Sequence, residues 1–366
     1  MTVWVPLPTL RAMPLTRTWP GLLDATLVSD AVRPHLEPAE ACAVHSIFQS
    51  VLNLETRHGL ITISGPSVDP LPHGLRISTE LDYRSTGLRS GQLVILERHR
   101  IRISGSNLEI DLRGAAPWSP RLPVISHSVT QARWRDRAAE MRCLAAAAVR
   151  ARPGAGDGMG ALIDLDRGPW MGAVARIAGP RLERLAQAVR TGDRAGAGRA
   201  AESLVGLGPG LTPSGDDALV GMAAALTAMA ARGSLDAAFL GPVADAVPAR
   251  TTTVSATFLR HASAGQFAAG VHQLMGVLIG PDASDAQATI ERCVAYGATS
   301  GADTLVGILL GLDALAPAVR DRPDALAPAV DALAPAVRDR PAVEALAPAV
   351  RDRPGAPGPE WVRNAA

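Results

Sequence analysis

The chain has 366 residues, 47% of them hydrophobic, enough for a sizeable core in one large or two ordinary domains. A formal net charge of +1 gives no electrostatic ground for binding nucleic acid or an acidic membrane surface. All cationic side chains other than histidine are arginine, so a phosphate-loop lysine, a Schiff-base lysine and biotinyl or lipoyl attachment are excluded.

Residues 1–10 lack the basic-then-apolar order of a signal segment. The longest apolar stretch, 218–231, falls short of the roughly 18 residues that span a bilayer. A soluble, cytoplasmic protein is expected. Residues 45–113 read as β-rich, with β-branched runs at 59–65, 91–96, 99–103 and 107–112 separated by Gly, Pro, Asn and Ser. Gly105, Ser106 and Asn107 form a hairpin-type connection. An N-terminal domain over 1–125, a small antiparallel sheet or barrel, follows from this pattern.

The texture changes at 117–123. Helices are predicted at 131–150, 180–191, 193–205, 215–231, 235–247, 253–262, 266–278, 284–296 and 301–315. Their lengths vary and no fixed period runs through them, which favours a bundle over a solenoid. The expected fold class is α+β, with a mostly helical domain over 126–315. Residues 316–366 repeat an Asp-Ala-Leu-Ala-Pro-Ala-Val-Arg unit; regular proline and few apolar groups predict a disordered, low-complexity tail without chemistry. Cys42, Cys143 and Cys293 are odd in number and far apart, neither a disulfide framework nor a zinc pattern. Cys143, in an alanine-rich helix, is expected in the core.

The most informative passage is Gly206-Leu207-Gly208-Pro209-Gly210-Leu211-Thr212-Pro213-Ser214-Gly215-Asp216-Asp217, which runs into an apolar helix. Glycines at 208, 210 and 215 let a ligand approach the backbone, Thr212 or Ser214 can cap the helix, and first-turn N–H groups make a seat for an anion. Neither glycine frame gives a dinucleotide fingerprint, and without lysine this is no Walker loop. Asp216 and Asp217 suit any helix dipole; alternatively one orients the loop while the other binds an amide-bearing or metal-bridged ligand. Ser300-Gly301-Ala302-Asp303-Thr304-Leu305-Val306-Gly307 repeats the pattern of 214–221, so both helix starts are expected to face one site.

A second cluster, Arg250-Thr251-Thr252, leads to His261. Hydroxyls beside a guanidinium fork suit phosphate or carboxylate. His261 is a candidate proton carrier that requires a partner. No nucleophile elbow, His-Glu-x-x-His or paired-Cys motif occurs, and the histidines lack ligand spacing. Direct displacement with electrostatic stabilisation is therefore favoured, with no built-in metal; Mg²⁺ near Asp216 and Asp217 is the one cofactor kept open.

The 206–221 passage, the Arg-Thr-Thr segment with its later Leu-Arg, and the Thr-Ser-Gly-x-Asp-x-Leu-x-Gly motif together resemble the AllH family, over much of residues 40–312. The resemblance implies a subunit of oxamate carbamoyltransferase, acting with FdrA-like and AllG-like subunits. In allantoin and purine breakdown that enzyme converts oxalurate and phosphate to oxamate and carbamoyl phosphate. The candidate catalytic residues are Arg250, Asp217 and His261. Substrate binding is assigned to Gly208, Gly210, Thr212, Ser214, Gly215, Asp216, Thr251, Thr252, Ser300, Gly301 and Asp303. Two alternatives stand beside it: a non-catalytic anion-binding or regulatory subunit, and an acyl or phosphoryl transferase on another small anion.

Overall fold

The computed structural model describes residues 21–37, 39–123, 131–163, 171–230, 235–246, 250–279 and 285–315, which form nine strands followed by nine α-helices. The strands are β1 (Leu22–Ser29), β2 (Glu40–Ile47), β3 (Val51–Thr56), β4 (Gly59–Ser64), β5 (Gly74–Ile77), β6 (Leu93–Glu97), β7 (Arg100–Ile103), β8 (Glu109–Asp111) and β9 (Ala116–Trp118). They run in the order β5-β4-β3-β2-β6-β7-β8-β1, and β1 pairs back onto β5. Eight strands thus close into a barrel, which removes the free edges. Parallel pairings of β4 with β5 and β1 with β8 take part in the closure, and β9 lies parallel to the second half of β1.

Period-two alternation produces these strands. In β7, Ile101 and Ile103 point inward while Arg100 and Arg102 point out, against buried Val94 and Leu96 of β6. These side chains join Leu52, Leu54, Ile63 and Ile77 in the barrel core. β4 is buried on nearly every residue because α6 (Thr253–Ser263) packs on it. The Gly105–Asn107 connection joins β7 to β8.

The remaining helices are α1 (Gln131–Ala151), α2 (Ala173–Thr191), α3 (Arg194–Leu204), α4 (Ser214–Ala228), α5 (Leu240–Ala246), α7 (Ala269–Ile279), α8 (Ala286–Ala295) and α9 (Ser300–Leu315). An α+β fold with an N-terminal barrel before a helical domain is what the pattern predicts. α4 and α9 form the centre and pack along their lengths. Gly221 backs onto the Thr304 carbonyl and Gly307 onto the Ala218 carbonyl; a Cβ at either would collide with the opposite backbone.

Three sequence expectations are corrected. α2 begins at Ala173 rather than at Pro180, which lies inside it, because Ala175 and Ala178 are buried one turn earlier. The segment predicted as one helix over 235–247 is a 3-10 turn, Ala237–Phe239, followed by α5; the Asp236 carboxylate caps it by accepting from Ala238 N. Cys143 is exposed, not core, since its helix turns that face outward. The expected disorder of 316–366 lies outside the described residues. No described helix is long and apolar enough to cross a membrane.

Backbone bonds from Phe267 to the Pro120 carbonyl, Leu122 to Gly265 and Ala269 to Pro70 seat the start of α7 against the end of the β region and the β4–β5 connection. That junction brings residues 69–71 to the helix starts described next.

Candidate functional site

Loops from three parts of the sequence meet in one knot. Thr212 Oγ1 and Ser300 Oγ share a hydrogen bond at 2.9 Å. The Thr252 hydroxyl donates to the Leu211 carbonyl, the Thr251 hydroxyl donates to Asp216, and Gly206 packs on the Arg250 carbonyl. Thr252 is also the N-cap of α6, accepting from Ser255 N at 3.0 Å.

Asp216 ties this knot. It is buried, and it accepts from Gly206 N at 2.9 Å and Ser255 Oγ at 2.7 Å, besides Thr251. Burial pushes its carboxyl pKa up and these hydrogen bonds pull it back down. Both oxygens of Asp216 are thus engaged within the knot. Among the described residues, no group of three or more His, Cys, Asp or Glu side chains could hold a metal ion.

Asp217, about 100° further round the helix, lines a cavity of about 430 Å³. Asp69, Thr289, Arg292 and Tyr296 line it as well, and Phe258, Phe267 and Leu274 supply much of its apolar wall. Asp217 Oδ2 is buried with no hydrogen-bond partner. Burial, followed by the neighbouring Asp303 and Asp216 charges, holds its pKa well above the usual carboxylate range; the Ser300 and Thr212 hydroxyls oppose this. Asp303, 0% exposed, accepts from Met159 N at 2.5 Å, and burial raises its pKa too. Its Oδ2 and Ser214 Oγ lie close but make no hydrogen bond of normal geometry.

Of the residues singled out from the sequence, Thr212, Asp217 and Gly301 line the cavity. Ser300, Ser214 and Asp303 stand behind them, while Asp216, Thr251 and Thr252 hold the loops together. Gly208 lies against Ser214, and Gly210 borders open space. The Gly215 amide is donated to the Leu207 carbonyl at 2.9 Å, so it is not free for an anion. Arg250 is exposed and absent from the cavity lining. His261 is also absent from it: its Nδ1 bonds Gln266 Oε1 at 2.6 Å, its ring stacks on His73, and burial lowers its pKa. Both rings favour the neutral form, since burial holds His73 well below the usual range as well.

Sequence reasoning missed Arg292, the one basic side chain among the described residues of the lining, which donates to Thr289 Oγ1 at 3.2 Å. It also missed Tyr296. Their signal was position: both precede the second Ser-Gly-x-Asp motif, Arg292 in the last turn of α8 and Tyr296 just after it. Cys293 lines the cavity too, but burial pushes its thiol up to about 12 and it donates to the Gly301 carbonyl, so it is no thiolate nucleophile.

No solved structure matches this chain. Residues 24–117 match the AllH family N-terminal domain, which is the barrel, and residues 204–312 match the family described as oxamate carbamoyltransferase subunit AllH, which spans both motif helices and the knot. The two matches cover more than half of the sequence, and the chain belongs to the AllH family, the family of the oxamate carbamoyltransferase subunit of that name.

Proposed function

We propose that the cavity beside Asp217 holds oxalurate and oxamate, and that this chain contributes that site to an oxamate carbamoyltransferase built with FdrA-like and AllG-like subunits. A subunit of that enzyme works with other chains. The reaction, phosphorolysis of oxalurate to oxamate and carbamoyl phosphate, belongs to allantoin and purine breakdown in the cytoplasm. The observation that carries this reading is the pairing, in one largely apolar cavity, of the Arg292 guanidinium with the Asp217 carboxyl, whose pKa burial raises.

Arg292 at the mouth suits the substrate carboxylate. A phosphate oxygen attacks the ureido carbonyl, and the tetrahedral oxyanion draws on hydroxyl donors such as Thr212 and Ser300, each worth about 3–4 kcal/mol if well placed. The carbon–nitrogen bond to the oxamate nitrogen then breaks. Asp217 gives its proton to that nitrogen and regains one from the attacking hydrogen phosphate, so the charges balance. At roughly 30 Å³ per water-sized group, the cavity has room for both substrates together, and their proximity lowers the barrier without a covalent intermediate.

A second reading, an anion-binding or regulatory subunit whose companions do the chemistry, draws on the exposed position of Arg292 and Tyr296. Reconstitution separates the two. Purified chain, FdrA-like and AllG-like subunits, oxalurate and phosphate are mixed and carbamoyl phosphate is followed. The proposal expects no product when this chain is left out, and expects Arg292→Ala to raise the KM for oxalurate about tenfold or more. Full turnover without this chain contradicts it.

A further inference from the structure

The starts of α4 and α9 are two copies of one structure. Gly215 N donates to the Leu207 carbonyl (2.9 Å) as Gly301 N does to that of Tyr296 (3.1 Å). Leu207 N reaches the Leu204 carbonyl (3.0 Å) as Tyr296 N reaches that of Cys293 (2.9 Å). Gly208 and Gly297 both take left-handed φ values, +111° and +63°, and each lies under the serine that opens its helix. A Cβ would stand 3.0 Å from Ser214 Oγ in one copy and 3.2 Å from Ser300 Oγ in the other.

Contacts between the copies are reciprocal. Gly221 meets the Thr304 carbonyl and Gly307 that of Ala218; the Ser300 hydroxyl faces Asp217 and the Ser214 hydroxyl faces Asp303. A local twofold exchange therefore makes Asp217 and Asp303 equivalent. They differ in what meets them from outside the pair. Asp303 receives the Met159 N–H from the Gly158–Met159 peptide, and Gly158 lies so close that a Cβ there would crowd the carboxyl at 2.5 Å. At Asp217 the side chain lines the cavity instead; its Oδ2, like that of Asp303, is enclosed and has no partner.

We propose that Asp217 takes from the ligand what Asp303 takes from Met159: the N–H of a carboxamide. The Gly158–Met159 peptide group is itself a carboxamide and marks the pose. Asp217 is thereby the residue that distinguishes a small α-oxo carboxamide from the keto acid or dicarboxylate of the same shape, because of the three only the amide brings an N–H to the carboxyl that lines the cavity. This rests on the cavity reading above and adds to it the atom that is recognised.

The test is calorimetric titration of the full chain with oxamate, pyruvate and oxalate, which share a carboxylate and differ at the group facing Asp217. Oxamate is expected to bind roughly tenfold or more tightly than the other two. Asp217→Asn, which keeps a carbonyl acceptor, retains that preference. Asp217→Val removes it while leaving pyruvate affinity unchanged. Equal binding of all three ligands overturns the inference and leaves the cavity reading standing; binding of none overturns both. Should Asp217→Val fail to fold, the oxamate-to-pyruvate ratio of the unaltered chain decides.

Discussion

Asp216 and Asp217 are adjacent carboxylates in the first turn of one helix, and their surroundings give them opposite roles. Asp216 accepts hydrogen bonds from Gly206, Thr251 and Ser255, and so fastens the Gly-rich loop to the start of α6. Asp216→Ala leaves those donors unsatisfied in a buried place, and is expected to cost about 2–4 kcal/mol in urea unfolding. Asp217 has burial and like charge against it instead. A carboxyl whose folded pKa is raised adds stability that is fully present below its unfolded pKa and is lost as pH rises through the folded one. Asp217→Asn removes a group that contributes nothing to stability at high pH, so its melting temperature at pH 7 is expected to hold or rise, while turnover falls. A large loss of stability in Asp217→Asn, with normal turnover, would make that residue structural. From the sequence, both acids fit a helix dipole or a ligand; only tertiary contacts separate them, because those contacts come from residues 251 and 255 for one and from a cavity for the other.

At the scale of elements, the two motif helices were legible because Ser-Gly-x-Asp-x-Leu-Val-Gly recurs with its apolar run, and the glycines in it are packing residues. Gly221→Ala and Gly307→Ala would each gain about 1 kcal/mol from helix propensity alone. The opposite backbone leaves no room for a Cβ at either position, so each is expected instead to destabilise by about 1–3 kcal/mol. Thermal melts of the two variants check the sign; stabilisation in both would mean that α4 and α9 do not meet as described. Strands β4, β6, β7 and β8 were also legible, since Ile, Val and Leu alternate in them. β1 and β2 were not named because Asp, Ala, Glu and His interrupt their alternation, and β5 and β9 are too short to carry a period. Their pairing is set by closure of the barrel rather than by local propensity.

At the scale of the molecule, two hydrophobic cores position one cavity. The barrel core fixes the β4–β5 connection with Asp69, and the helical core fixes the starts of α4 and α9. Family membership was legible from the motif itself, whereas the identity of the cavity's cation was not. Arg250 neighbours the loop through its backbone and leaves its side chain exposed; Arg292 reaches the lining because α8 ends beside Gly301. Such a choice between arginines depends on which helix end the fold turns toward the cavity, which no local pattern encodes. The structure of the chain bound to oxamate tests the central claim most directly. The account predicts the amide nitrogen within hydrogen-bond reach of the Asp217 carboxyl and the carboxylate at the Arg292 guanidinium. Oxamate bound instead at Arg250, with the cavity beside Asp217 left to water, would contradict it.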